Sequence, residues 1–392
     1  MSSAQAQTDA FLSGQGIVVD PSAIERTLLE LWGPAAERVG TTEAEPHSPY
    51  NVTRIVLANL VVETTPDEAG RVGQALDEVV ARFPCRAIVA IRDDSTGRSV
   101  AAEVAALCHL PAPGLPQVCS ERILLKAGPD GVDMLPGAIR PLLEPDLPVV
   151  LWWTTDPRKA ERLFRDLAEE ATRIILDLDP TADPEALAFG LNPKLNPFAR
   201  DTAWLGLTPW RELVAQCFEV PDRLKILGRL SSLEIKVSAL DSHGPNLPRP
   251  AAWLAAWMAG QLGWTLEQVR PGDSSSAPFE ARFSGKQGPI ELKIHRQSAG
   301  AMAEPRLLEV ALTAKTPEGD DTIHLRRSPA SSSGVRVEIC TPQTCELSRV
   351  IDLTELDGAR RVAAGLESAR HDAPFSKALP IALRLLGVPN QA

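Results

Sequence analysis

The sequence predicts an α/β N-terminal domain with a mostly parallel sheet, followed by an α+β C-terminal domain with an antiparallel sheet. Two observations carry this. Between Val52 and Leu178, apolar runs of strand length alternate with segments of helical period, joined by short turns. That is the pattern of parallel crossover units. From Glu280 to Leu353 the strands alternate polar and apolar residues and are separated by Gly, Ser, Pro or Asp, as in an antiparallel sheet with one wet face. A chain of 392 residues is also too long for one ordinary core. The expected division is an N-terminal helix and linker over 1–50, the α/β domain over 51–200 and the α+β domain over 201–392.

The elements follow in order. The first twenty residues are expected to fray. Asp20-Pro21 then offers an N-cap with Pro at the first helical position, and Ile24, Leu28, Leu31 and Trp32 recur at helical spacing. Gly33-Pro34 is expected to stop this helix, and Thr41 to Tyr50 reads as a polar linker. Val52 to Val62 is apolar and β-branched, a strand covered on both faces. Thr65-Pro66-Asp67-Glu68 is a capping box opening a helix whose apolar face is Val72, Leu76, Val79, Val80 and Phe83. Arg86 to Arg92 is the next strand, then Val118 to Ala127. Leu135 to Leu143 reads as a helix, Pro148 to Trp153 as a short buried strand, and Asp156-Pro157 as the cap of a helix carrying Leu163, Phe164 and Leu167. Arg173 to Leu178 is a further strand, and Asp179 to Arg200 reads as a connection.

In the second half, Thr208-Pro209 starts a helix with Leu213, Val214, Cys217 and Phe218 inward. Leu233 to Leu240 is strand-like, and Ala251 to Leu262 is an apolar helix with Gly263 at its C-cap position. After the run of strands, helices around Val362 to Leu366 and Phe375 to Leu386 are expected to cover the second sheet.

Composition narrows the function classes. The chain is 44% hydrophobic and 23% charged, with a formal net charge of −11. Binding a nucleic-acid backbone needs clustered Lys and Arg; here they are scattered. The N-terminus lacks a secretory pattern, and LPVVLWW is far shorter than a membrane span. The expectation is a cytoplasmic protein with neither nucleic acid nor membrane as partner. Six cysteines in so long a chain do not make a disulfide scaffold.

Chemical motifs are mostly missing. Ser284-Gly285-Lys286-Gln287 lacks the first Gly and the hydroxyl residue of a phosphate loop. Gly14-x-Gly16 has Val19 where a dinucleotide fingerprint needs its third Gly, and no strand precedes it. No nucleophile elbow or HExxH metal motif exists. Cys108-His109 could give two metal ligands, but no second pair accompanies them. The expectation is therefore no catalytic residue, no metal and no cofactor. The spacing of Cys340 and Cys345 would let a turn bring the sulfurs together as a reversible redox pair; the alternative is two half-buried thiols flanking a hairpin. Trp152 and Trp153 are adjacent on a strand and point to opposite faces, so one indole needs a covering helix or a partner. Trp204, Trp210 and Arg211 pose the same choice between core and partner contact.

Several phrases resemble a known family. Thr53 to Val62, Pro84-Cys85-Arg86-Ala87-Ile88-Val89, Cys119-Ser120-Glu121-Arg122-Ile123, Leu142 to Trp153 and Leu207-Thr208-Pro209-Trp210-Arg211-Glu212-Leu213 are similar, in order and spacing, to landmarks of the OpcA family. The PDLPVxLWW and LTPWREL phrases are the more specific. The resemblance implies a two-domain protein that binds glucose-6-phosphate dehydrogenase, promotes its active oligomer and raises its activity. It would thereby support the oxidative pentose phosphate pathway and NADPH supply. It also implies thioredoxin as a partner, through cysteines not matched to positions here. The rival expectation is an α/β enzyme for a sugar phosphate or nucleotide, with Asn59, Arg86 and Asp177 at strand ends or turns.

Overall fold

The computed structural model describes residues 14–39, 52–94, 100–109, 117–239, 246–272, 277–298, 304–329, 331, 333–368 and 371–389. The chain divides into two compact units. Unit 1 comprises Met1–Leu178, Phe189–Thr202 and Gly358–Ala369; unit 2 comprises Asp179–Ala188, Ala203–Asp357 and Arg370–Ala392. Each holds one sheet, the first mixed and mostly parallel, the second mixed and mostly antiparallel.

The strands of unit 1 are β1 (Ile17–Val19), β2 (Val52–Arg54), β3 (Asn59–Thr64), β4 (Arg86–Arg92), β5 (Val100–His109), β6 (Gln117–Ala127), β7 (Val149–Trp153), β8 (Arg173–Leu176) and β9 (Ala199–Asp201). They lie in the order β1-β5-β6-β4-β3-β7-β8-β9, with β2 beside β6. Only the β1–β5 and β5–β6 pairs run antiparallel. Every residue of β3 is buried, as expected of a central strand covered on both faces.

The helix α1 (Ile24–Val39) buries Ile24, Leu28, Leu31 and Trp32 and continues through the Gly33-Pro34 step. The helix α2 (Pro66–Arg82) buries Val72, Leu76, Val79 and Val80, one stripe at 3.6-residue spacing. Its Thr65 sits at the N-cap without a side-chain capping bond, so Pro66 and the acidic first turn of Asp67 and Glu68 open it instead. The helix α3 (Glu161–Glu170) sets Phe164 edge-on against Trp153, centroids 4.9 Å apart.

Several local expectations change. Val52 to Val62 is two strands, β2 and β3, split where Leu57 N–H turns to bond the Pro84 carbonyl at 3.0 Å. The stretch expected to fray contains β1, which pairs with β5. Leu135–Ile139 is a single α-turn between two 3-10 turns. The linker expected over 41–50 lies outside the described residues. The Asp179–Arg200 connection carries a short helix, Pro184–Gly190, and β9.

Unit 2 contains β10 (Leu230–Ala239), β11 (Thr265–Arg270), β12 (Phe279–Gly285), β13 (Gly288–Ser298), β14 (Leu307–Thr316), β15 (Gly319–Arg327), β16 (Gly334–Cys340) and β17 (Arg349–Asp352). Their order is β11-β12-β13-β10-β14-β15-β16-β17, and β10–β13 is the parallel pair. Burial alternates along β13, with Ile290, Leu292 and Ile294 inward. Two helices give this unit its aromatic core: α5 (Arg249–Leu262), following α4 (Thr208–Gln216) in the chain, and α7 (Ala373–Leu385). Trp253 stacks on Phe375 with centroids 5.1 Å apart, and Trp204 meets both edge-on. The two helices touch at Gly260, where a Cβ would fall 3.1 Å from the Lys377 backbone. The helix α6 (Gly358–Glu367), expected to cover this sheet, packs against α2 in unit 1 instead. Arg173 of β8 fastens it there by donating to the Gly365 and Leu366 carbonyls at its C-terminal end, 3.1 and 2.6 Å away. No described helix is long and apolar enough to cross a membrane.

Candidate functional site

Apart from the short β2, which runs parallel beside β6, the parallel strands of unit 1, counted along the chain as β3, β4, β6, β7, β8 and β9, lie in the sheet as 3-2-1-4-5-6. In doubly wound sheets the ligand crevice opens at the carboxyl ends, where the order reverses; here that is between β3 and β7. The side chains gathered there are Glu63, Thr64, Arg92, Thr154 and Thr155, with Arg71 and Asp177 beside them.

Glu63 is fully buried. Arg92 Nε donates to its Oε1 at 2.5 Å, and Thr155 Oγ lies 2.9 Å from its Oε2. Arg92 Nη2 also donates to Thr155 Oγ at 2.9 Å, closing a three-membered ring across β3, β4 and the end of β7. Burial pushes the Glu63 carboxyl above its ordinary range although Arg92 and Thr155 oppose this. Thr154 Oγ lies 3.0 Å from the Glu63 carbonyl and 3.1 Å from Thr64 Oγ. Asp177 accepts from Arg71 Nη1 at 2.7 Å, Thr202 Oγ at 2.9 Å and Trp152 Nε1 at 3.3 Å. Burial opposes the Arg71 charge, but Asp177 and Glu68 hold its pKa above the ordinary value.

A second network closes the amino ends. Glu121, fully buried, accepts from Arg86 Nε at 2.6 Å, Trp32 Nε1 at 2.6 Å and Arg54 Nε at 2.8 Å. Arg86 reaches Glu25 at 2.7 Å and Glu144 at 2.9 Å as well. Asn59 exchanges two hydrogen bonds with the Glu144 backbone. The rival enzyme set therefore separates: Asn59 and Arg86 stand at the amino ends and Asp177 at the carboxyl ends, so the three form no site. The reason is the parallel order, which sends residues that begin strands to one edge and residues that follow them to the other.

The structure buries all four indoles put forward as partner contacts; Trp152, Trp153, Trp204 and Trp210 are each at most 1% exposed. Trp152 and Trp153 fill opposite faces of the first sheet, and Trp204 and Trp210 belong to the interior of unit 2. Arg211, half-buried, stacks 3.7 Å from the Trp204 ring centroid and donates to Thr208 Oγ at 2.9 Å. Burial lowers its pKa to about 10.

Cys340 and Cys345 form a disulfide across a turn at the end of β16, in a stretch where residues 341–350 are all exposed. A second disulfide joins Cys108 to Cys119, which face each other across β5 and β6. Sequence reasoning missed it because the β5–β6 register was not visible. It also ties up the Cys108 sulfur that was weighed as a metal ligand. Cys85 and Cys217 are free and buried, and burial pushes their pKa values up to about 12 and about 11, which suits inert thiols rather than nucleophiles. Among the described residues no three His, Cys, Asp or Glu side chains gather as metal ligands. What the two strand-end networks can do is hold strands together: their acids face arginines.

The sequence profile of the "glucose-6-phosphate dehydrogenase subunit N-terminal domain" of OpcA matches residues 76–189, and that of its C-terminal domain matches 197–379. The OxPP cycle protein OpcA of Synechocystis sp. is 30% identical over 192 residues, 48% of this chain and 39% of that protein. The protein of the same name from Synechococcus elongatus is 30% identical over 255 residues, 63% of this chain and 56% of its own length. The chain thus spans about half the length of the curated relatives it matches. Among solved structures, a 3-ketoreductase from Actinomadura kijaniata aligns over 84% of this chain and 95% of its own, at 12% identity and a TM-score of 0.45. Likeness at that level says nothing about chemistry.

Proposed function

The chain belongs to the OpcA family, and from that premise we propose that it is a non-catalytic assembly factor and allosteric activator of a glucose-6-phosphate dehydrogenase. Its output would be a larger active fraction of the dehydrogenase, and so more NADPH from the oxidative pentose phosphate pathway. The observation that carries the reading is the pair of profile matches, which span residues from both units. The geometry supports it in one respect: buried acids and bases at both ends of the first sheet are committed to one another.

The mechanism follows from linkage. A binder shifts an oligomer equilibrium only by its differential affinity for the two forms. A tenfold preference for the active oligomer is worth about 1.4 kcal/mol. Mixing the purified chain with the dehydrogenase of the same organism and measuring the mass of the eluting species tests the association. A stable complex of defined stoichiometry is expected; separate elution at micromolar concentration of both proteins contradicts the reading. The same reading gives the Cys340–Cys345 pair, of which Cys345 is exposed and Cys340 half-buried, the part of a thiol switch for a thioredoxin. Its check is a Cys340→Ser/Cys345→Ser variant whose complex should no longer respond to reductant. A response that persists would remove the pair from that part.

A further inference from the structure

The strand order of unit 1 raises a cofactor question that family membership does not answer. In sheets of this order a dinucleotide lies across the switch point, its pyrophosphate on backbone N–H groups of the first strand-to-helix turn. Glycines let the backbone come that close, and the helix N-terminus favours the negative charge.

The corresponding turn here is Glu63-Thr64-Thr65-Pro66-Asp67-Glu68, and four of its features oppose a phosphate. It contains no glycine, and the buried Thr64 side chain is locked against Thr154. Pro66, at the first turn of α2, has no N–H to donate. Asp67 and Glu68 fill the first turn with negative charge, so the favourable end of the helix dipole is already taken by the chain's own carboxylates. The nearby cations are also engaged: Arg92 bridges Glu63 and Thr155, and Arg71 bridges Glu68 and Asp177.

We infer that the switch-point crevice of unit 1 is closed from within by the Glu63–Arg92–Thr155 ring, so that this chain takes no nicotinamide or flavin dinucleotide of its own. On the reading that it partners a dehydrogenase, any response of the complex to NADP+ then originates in the dehydrogenase. The ring replaces a ligand as the element that ties β3, β4 and β7 together.

The test is a titration of the isolated full chain with NADP+, NADPH and FAD at low salt. It is followed by calorimetry and by the fluorescence of Trp152 and Trp153, which end β7 beside the crevice. The expected result is no saturable signal up to millimolar ligand. Saturable binding of any of the three below that concentration, competed by pyrophosphate, overturns the inference; weaker or non-saturable signals agree with it. The outcomes stay separate from those of the functional reading: a chain that binds NADP+ could still associate with the dehydrogenase, and one that binds none could still fail to associate.

Discussion

Arg92→Met probes the closed crevice most sharply. Arg92 is the cation of the buried ring, with its side chain 14% exposed against a fully buried Glu63. Replacing it with a similarly long apolar side chain keeps the volume and leaves Glu63 with Thr155 alone. Breaking a buried pair by removing one partner costs about 3–5 kcal/mol, because an uncompensated charge stays behind. The cost should depend on pH. The Glu63 carboxyl is already above its ordinary range through burial, and losing Arg92 raises it further. A raised carboxyl contributes stability that is full below the unfolded pKa and lost as pH rises through the folded value. The variant's deficit against the parent should therefore be largest near about pH 8 and shrink as pH falls toward the ordinary carboxyl value of 4.5. Urea unfolding followed by tryptophan fluorescence and far-UV circular dichroism, at both pH values, measures it. The double variant Arg92→Met/Glu63→Leu should be more stable than the single one at the higher pH, since it buries no lone charge. A deficit equal at the two pH values, or a double variant worse than the single, would refute the reasoning.

Other expectations concern stability. Glu309 of β14 accepts from Lys236 at 2.7 Å and Arg326 at 3.0 Å, and although burial pushes its carboxyl up, these partners bring it down to about 2. A lowered carboxyl contributes stability above the unfolded pKa, lost as pH falls through the folded value. Between the ordinary value of 4.5 and about 2, unit 2 should lose about 1–2 kcal/mol, after discounting for its half-exposed partners. Acid titration of Glu309→Gln by circular dichroism should lack that component. The Cys108–Cys119 bridge closes a loop of sequence separation 11, so Cys108→Ser/Cys119→Ser should unfold about 2–3 kcal/mol more easily. An unchanged urea midpoint would place the bridge outside the folded state's stability.

Much of the fold was legible because its signals are local. The stripe Val72, Leu76, Val79 and Val80 gave α2, and the alternation Ile290, Leu292, Ile294 gave the one-sided burial of β13. What periodicity could not supply was pairing. β5 reads VAAEVAALCH, and its small alanines carry little strand preference, so it was not foreseen. With it went the register that sets Cys108 opposite Cys119. The helix α6 has a clear apolar face, but a face does not name the surface it meets, and it lies on α2. The same limit applies to the candidate contacts. Tryptophan suits interface centres and cores alike, and only tertiary packing placed all four indoles inside. The Glu63–Arg92 ring was invisible for a related reason: its members are 29 residues apart and meet only because β3 and β4 run parallel side by side.

The role proposed for this chain is to grip another protein's active oligomer, and sedimentation velocity tests that most directly. The dehydrogenase of the same organism would be run alone and with increasing amounts of this chain, with turnover assayed on the same samples. The expected result is a dose-dependent move of the dehydrogenase into a larger species, with a matching rise in turnover that saturates at fixed stoichiometry. An unchanged oligomer distribution and unchanged turnover at saturating chain would contradict it.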